Sequence, residues 1–410
     1  MPWRRIGRMV VFVLLVMSTA TSVAAQDWPQ WRGPNRDGAI AAFAAPPTWP
    51  AALTKRWQIE IGPGYSTPLV VGDRVFAFSR EGEDEVLRAL DVATGKPIWR
   101  AAYPAPFTMN PATRQHGPGP KSTPAYADGR LFTLGMTGVV LAFDARDGRV
   151  LWQASAPEAQ PMYHTAMSPV IDGNLVIVHV GGHDRGALTA FDVATGKVAW
   201  AWAGDGPAYA SPIVATLGGA RQVITFTQQN FIGVDRDTGT LLWRRPYTTP
   251  ATTTSQTPLI HRDMVIESGR DNGFTAFRPT RSGTTWTTPE VWRTKEVSVH
   301  LSDVVAVDGV AYGLSHLNRG QYFALDLETG AVLWKGEPRR AEHAAMARAG
   351  QTIFSLEDDG ELVVMQASRT GFEALKTYDV ATSATWAQPA ISGRRVFVKD
   401  VNTLALWTID

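Results

Sequence analysis

The sequence predicts an all-β protein, an eight-bladed β-propeller closed by an N-terminal strand that completes the last blade. Three observations predict it. An Asp, a turn closed by Gly, and a Trp eight residues after the Asp recur as Asp91…Trp99, Asp144…Trp152, Asp192…Trp200, Asp235…Trp243 and Asp326…Trp334. The repeats follow one another at roughly 40–50 residues, the period of four-stranded propeller units. The chain also stops at Asp410, before the turn and Trp strand of its final unit, while residues 53–57 (LTKRW) ahead of the first unit read as that missing strand.

The third unit shows each element. Residues 168–171 (SPVI) open a strand, and Asp172-Gly173 makes a hairpin turn. Residues 175–180 (LVIVHV) form a buried second strand and residues 187–191 a third. Asp192 then starts a turn that Gly196 closes, and residues 197–200 begin the fourth strand. The Asp carboxylate accepts turn amide hydrogens, Gly supplies positive φ, and the Trp fills the space between neighbouring sheets. Aligned strand openings give eight units, beginning near Pro68, Pro124, Pro169, Pro212, Pro258, Asp303, Ala345 and Pro389. Two units have lost the motif. Arg278 replaces the Asp of the fifth, with Trp292 as its displaced Trp, and Gln366 replaces the Asp of the seventh. Trp57 is then the clasp that finishes the eighth.

The remaining chain divides into residues 1–25 and 26–52. Arg4, Arg5 and Arg8 precede an apolar run at residues 9–17 (MVVFVLLVM) and small residues up to Ala25, the pattern of a cleaved signal peptide. The run is too short for a stable membrane anchor. The expected location is periplasmic or extracellular. Residues 26–38 (QDWPQWRGPNRDG) are punctuated against helix and strand. Trp28 and Trp31 are expected to tack this arm onto the outside of the propeller, with a ligand role for the two as the alternative. The Pro-rich connection at residues 100–120 either overhangs the channel mouth or packs on its rim. Residues 79–85 (SREGEDE) read as a solvated acidic hairpin tip.

Composition removes several functions. Lys and Arg number 39 against 38 Asp and Glu, so no basic field for nucleic acid exists. The chain has no Cys, which excludes disulfides, thiolate catalysis, Cys-ligated metals and a lipid-modified Cys anchor. The expected protein is an unanchored monomer. No Ser/His/Asp or metalloprotease motif is present. His179 and His183 do not have metal-ligand spacing and read as surface histidines, and Asp271-Asn272-Gly273 reads as a hairpin turn.

In a propeller the innermost strands start around a central channel, so residues just before the strand openings converge on one mouth. Three residues before each aligned position stand Tyr65, Lys121, Ala166, Tyr209, Ser255, His300, Glu342 and Trp386. Tyr65, Lys121, Tyr209, His300, Glu342 and Trp386 are the candidate binding residues. Aromatic surfaces, a cation, a carboxylate and an imidazole suit a planar or anionic polar ligand. A hydrated polar mouth without a ligand is the alternative. Glu342 and His343 near His300 form a candidate acid/base pair, and Asp303, where other units have Pro, is either a base near the channel or repeat drift.

The repeat AFDVATGKVAW, the Ser-x-Pro strand openings and the leading WPQWRGPNRDG together resemble the pyrroloquinoline-quinone (PQQ) type propeller repeats, over roughly residues 57–410. That superfamily includes quinoprotein alcohol dehydrogenases and the lipoprotein scaffold of the outer-membrane barrel-assembly machinery. The resemblance implies the fold but not one activity, because the matching residues are structural joints. Quinoproteins hold the quinone between a Trp and a ring of two adjacent cysteines, with Ca²⁺ and an Asp base, and are longer; the scaffold is lipid-anchored. This chain lacks the cysteines for either arrangement. The expectation is a secreted binding or scaffold protein that recognises a protein or small polar ligand at its channel mouth. The alternative is a divergent PQQ- and Ca²⁺-dependent alcohol or sugar dehydrogenase working at the Trp386/Lys121 mouth. Hydrolysis or lyase chemistry at His300/Glu342 is a third.

Overall fold

Eight four-stranded antiparallel sheets follow one another in the computed structural model, which describes residues 26–41 and 43–410. The signal peptide expected at residues 1–25 lies outside the described residues. Among those described, no helix is long and apolar enough to cross a membrane. Blade 3 illustrates the plan with strands Val170–Asp172, Leu175–Gly181, Gly186–Asp192 and Val198–Gly204, in that order from the axis outward. Blade 8 joins Ala390–Ser392, Arg395–Lys399 and Thr403–Thr408 to Thr54–Glu60, which pairs antiparallel with Thr403–Thr408. The ring is therefore closed by the N-terminal strand, as the sequence predicts.

Sequence chemistry explains why the blades hold together. In all eight sheets the outermost pairing shifts register by one residue, as between Ala190 and Phe191, where the strand approaches or reaches the Trp position. Such a bulge bends the strand and re-aims its side chains. The indole then reaches the turn of the next blade. Trp57 Nε1 donates to the Val92 carbonyl at 3.1 Å, and Trp99, Trp152, Trp200, Trp292 and Trp334 make the same donation to Ala145, Val193, Arg236, Leu327 and Ser368. The receiving turn is shaped by its Asp: Asp192 Oδ1 accepts from Thr195 N at 2.9 Å and Thr195 Oγ1 at 2.7 Å. Gly95 has φ +70°, and a Cβ there would stand 2.7 Å from the Trp57 ring, so only Gly fits.

The decayed units have physical substitutes. In blade 5 the hairpin Thr280–Ser282/Thr285–Thr287 is inserted between the third and fourth strands, which lengthens the spacing from Arg278 to Trp292. Trp243, deprived of an Asp-type turn there, donates to Gln222 Oε1 at 2.6 Å within its own blade. Blade 7 carries Lys376 at the Trp position. Trp407 of blade 8 donates instead to the Val380 carbonyl that follows it, at 3.1 Å.

The arm departs from expectation. Instead of lying outside, it crosses the central channel and touches the inner edges of six blades. Trp28, with no exposed surface, pairs with Val70 of blade 1 through N–H···O bonds of 2.7 and 3.0 Å. The Pro29 carbonyl accepts from Tyr126 N of blade 2, and Trp31 Nε1 donates to Thr257 Oγ1 before blade 5 at 2.9 Å. Arg32 Nη2 donates to the Val304 carbonyl at 2.6 Å, and Arg36 Nη1 to that of Pro169 at 2.9 Å. Ile40 N then donates to the Arg348 carbonyl of blade 7 at 2.7 Å. The physical reason is edge chemistry. Innermost strands present unpaired carbonyls to the axis, and two arginines plus the arm backbone satisfy them where water would otherwise be needed.

Asp303 belongs to this plug. Its Oδ2 lies 3.4 Å from Arg32 Nη1, and its two oxygens accept from Thr257 N at 2.6 Å and Thr257 Oγ1 at 3.0 Å. The departure from Pro is neither drift nor a free base; the Asp is the counter-charge of a buried arginine. Two smaller expectations also change. His179 is buried, with Nε2 3.0 Å from the Asp205 carbonyl. Glu85 is buried as well, accepting from Tyr103 OH at 2.6 Å and Met136 N at 2.7 Å, so only the tip around residues 81–84 is solvated.

Candidate binding cavity at the mouth of the ring

The plug converts the channel into a cavity of about 380 Å³ at the mouth where the innermost strands begin. That size lies within the range of small-ligand sites, ~300–1,000 Å³. Trp31 and Arg32 of the arm form its floor, and residues preceding the strand openings form its wall. The 100–120 connection forms its cover. After the long outer strand Pro97–Pro104 the chain turns inward into a short 3₁₀ helix, Pro111–His116. Asn110 Oδ1 accepts from Ala112 N at 3.0 Å at the start of that helix, and Asn110 Nδ2 donates to the Met162 carbonyl at 3.1 Å, tying cover to wall. His116 ends the helix with its ring edge-to-face against Trp386 at 4.5 Å. Of the two readings of this connection, the overhanging one is correct.

Seven of the eight positions counted from the strand openings line the cavity: Tyr65, Lys121, Ala166, Tyr209, Ser255, His300 and Trp386. Glu342 does not. It is exposed, its backbone N–H donates to Asp358 Oδ1 at 2.9 Å, and the buried His343 takes its place on the wall. The cause is register: the innermost strand of blade 7, Ala344–Ala349, is six residues long and starts one residue before the aligned position, where in blade 3 the strand starts one residue after it. The expected Glu342/His343 pair is therefore absent, and His343 Nδ1 faces Ser302 Oγ at 3.2 Å instead. Trp386 is less available than its sequence position suggests, because the His343 ring stacks on it at 5.0 Å. The sequence reading missed His116 and Arg270, which also line the cavity, as does Trp31, for which a ligand role is the lesser of two readings. The paired arginines of WRGPNR were the signal for a buried arm; nothing marked Arg270.

Electrostatically the wall is cationic and poorly solvated. Lys121 is half-buried, its Nζ is 3.4 Å from the Tyr163 carbonyl, and among the described residues it has no carboxylate within ion-pair distance. Burial lowers its pKa to about 8. Tyr209 OH accepts from Tyr163 N at 3.1 Å, and burial raises its pKa to about 12. Burial also holds His300 and His343 at about 4, with nearby Arg270 adding to the effect at His300. The Nε2 atoms of both rings are buried without a hydrogen-bond partner. Asp303, the one carboxylate on the cavity wall among the described residues, is already engaged by Arg32 and Thr257.

This donor set does not fit a bound Ca²⁺, which takes six to eight oxygens with carboxylates prominent. The one acidic cluster of suitable spacing among the described residues, Glu357, Asp359 and Glu361, does not line the cavity, and Arg340 bridges Glu357 and Glu361 at 2.7 and 2.6 Å. No step of quinone oxidation is derived from these residues.

The neutral histidines make stability pH-dependent. An unfolded His takes its proton near 6.5, whereas His300 and His343 resist it until about 4. Stability therefore falls as pH drops through that window and is unaffected above it. Glu267, raised to about 7 by burial, gains a proton in the folded state and acts oppositely. The informative measurement is thus a difference. The urea midpoint should fall between pH 7 and pH 5 by less in His343→Gln than in the wild type; equal falls would contradict the assignment.

Comparison with known proteins places the chain. A family profile described as "Outer membrane protein assembly factor BamB" matches residues 82–336. BamB of Yersinia pestis is 26% identical over 227 residues, 52% of this chain and 56% of that protein. The dehydrogenase subunit of the quinone alcohol dehydrogenase of Komagataeibacter europaeus is 32% identical over 143 residues, 33% of this chain and 19% of that protein. The match thus spans about half of the first relative and a fifth of the second. Among solved structures, the quinohemoprotein alcohol dehydrogenase from Comamonas testosteroni superposes with a TM-score of 0.68 at 16% identity, over 93% of this chain and 80% of that one, a likeness of fold. With the profile covering more than half of its residues, the chain belongs to the PQQ-like propeller family described as outer membrane protein assembly factor BamB.

Proposed function

We propose that this protein is an exported, non-enzymatic binding propeller whose covered mouth cavity is its recognition site for a small, planar, anionic ligand. One observation carries the reading: the arm below and the 3₁₀ segment above turn an open channel into a floored, partly covered site with cations and no free carboxylate among its described lining residues. Lys121 and Arg270 supply charge, while Tyr65 and Tyr209 supply aromatic surface. An assembly or scaffold role, the function named for the BamB relatives, would use the rim and faces around this cavity.

Terephthalate, a rigid planar dianion, is a suitable probe. Its binding should quench tryptophan fluorescence, and Lys121→Met or Arg270→Gln should each weaken it roughly ten-fold, the scale of a charged hydrogen bond of about 1.5 kcal/mol. Absence of any quench or thermal shift at millimolar probe would remove the reading.

Kinship with quinone alcohol dehydrogenases supports a second reading, a PQQ-dependent oxidoreductase. Titration with PQQ and CaCl₂, followed by absorbance and dye-linked alcohol oxidation, separates the two. The binding reading expects no Ca²⁺-dependent change and no oxidation.

A further inference from the structure

We propose that the mouth cavity captures small carbonyl compounds that also carry an anionic group, with Lys121 as the nucleophile that holds the carbonyl carbon as a reversible imine. This rests on the cavity being a small-ligand site.

Lys121 enters the wall just before blade 2 and, among the described residues, meets only one acceptor, the Tyr163 carbonyl, at 3.4 Å. No ion pair among the described residues holds it as an ammonium. A lysine so placed loses solvation without gaining a counter-charge, so its neutral, nucleophilic form is accessible. The direction of its pKa, down to about 8, agrees. Lys399 provides the contrast. Burial also lowers it to about 8, but its Nζ donates to the carbonyls of Asp400 and Val401 at 2.6 and 2.9 Å, and it does not line the cavity.

The other requirement is an anchor for the anionic end. Arg270 of blade 5 lines the cavity, and its nearest carboxylate, Asp271, stands 3.8 Å from Nε. His300, before blade 6, presents a buried Nε2 without a partner. Arg270, His300 and Lys121 line one cavity from blades 5, 6 and 2, so a ligand spanning it meets an anion site at one end and Lys121 at the other.

The chemistry is complete without an oxidant or metal. The Lys121 nitrogen lone pair forms a bond to the carbonyl carbon while the C=O π pair moves to oxygen. A proton passes from nitrogen to that oxygen, giving a carbinolamine. The C–O bond then breaks as the remaining N–H proton passes to the leaving oxygen, the nitrogen pair forms C=N, and one water departs, leaving the neutral imine. His116 packs against Tyr65 and Trp386 on the cover, and its pKa is lowered by burial and by nearby Lys121. It is therefore a neutral imidazole placed to relay these protons. Water entering the cavity reverses the step.

The test uses the full chain with 4-carboxybenzaldehyde, trapped by a short borohydride pulse and mapped by peptide mass spectrometry. The expected result is one reduced adduct at Lys121, formed roughly ten-fold or more faster than at Lys399 or surface lysines, whose usual pKa is about 10. Its rate should rise with pH to half its maximum near 8, matching the lowered Lys121 pKa. Lys121→Arg should abolish it, while Arg270→Gln or benzaldehyde, which lacks the carboxylate, should slow it about ten-fold. Calorimetry with 4-carboxybenzyl alcohol, which cannot form an imine, tests the cavity alone. If the alcohol binds but Lys121 labels no faster than Lys399, the imine is overturned and the binding reading stands. If neither compound binds, both fall.

Discussion

Asp303→Ala is expected to destabilise the protein by about 3–5 kcal/mol, the cost of removing one partner of a buried ion pair. Arg32 keeps 3% of its surface exposed and Arg36 6%, so neither guanidinium can recover its solvation by turning outward. Asp303 is the counter-charge for both. It lies 3.4 Å from Arg32, and its field opposes the burial and the neighbouring Arg32 charge that lower the Arg36 pKa to about 9. The substitution also frees the Thr257 amide and hydroxyl, which have Asp303 as their acceptor. Replacing both members, Arg32→Met with Asp303→Ala, should cost less than Asp303→Ala alone, because an apolar side chain leaves no unpaired charge. Urea denaturation of the three proteins measures this. A loss below ~1 kcal/mol for Asp303→Ala, the value of an exposed pair, would show that the arm is not seated in the channel.

Trp57→Ala should produce a loss of similar size by a different route, about 3–5 kcal/mol for a buried Trp truncated to Ala. The ring packs 6.1 Å from Phe397, closes over Gly95 and donates to the Val92 carbonyl. Trp292→Ala removes an equivalent joint between blades 5 and 6 and serves as the internal comparison. The difference lies in what each strand is attached to. Among the described residues Thr54–Glu60 is paired only with Thr403–Thr408, so loosening it exposes the edge of blade 8, and exposed edges promote association between chains. Trp57→Ala should therefore gain a protease-sensitive segment before residue 61 and a higher-order species in size exclusion, and Trp292→Ala should gain neither. Identical behaviour of the two variants would argue that the clasp does not govern closure.

The joints were legible because one solution is repeated. Asp, Gly and Trp must stand at fixed spacing for the turn of one blade to receive the indole of the previous one, and Trp292 could be assigned despite its displacement by the inserted hairpin. The ring of mouth residues was legible for the same reason, wherever the innermost strand started at its usual place. At Glu342 it failed, since an earlier strand start in blade 7 moves the neighbouring His343 onto the wall and nothing in the local sequence announces a strand boundary to one residue. The arm was misplaced for a more general reason. Trp28 and Trp31 announce burial but not against what, and only the ring, once formed, defines the carbonyls that Arg32 and Arg36 meet. His116 comes from a connection outside the repeat, where no second copy exists to align, and Arg270 from the hairpin turn between the second and third strands of blade 5, away from the strand openings that were counted.

The pairing of Thr54 with Thr408 also dictates a timetable. The clasp strand is among the first parts of the propeller to be synthesised, yet its partner is among the last, so it must wait while more than three hundred residues are made. Contacts of such separation are slow to form and leave intermediates open. The arm waits as well, though not as long, because it binds backbone groups contributed by blades as late as the seventh. The cavity floor is then completed well after its own residues are made, by a segment that is synthesised before any of the blades it joins.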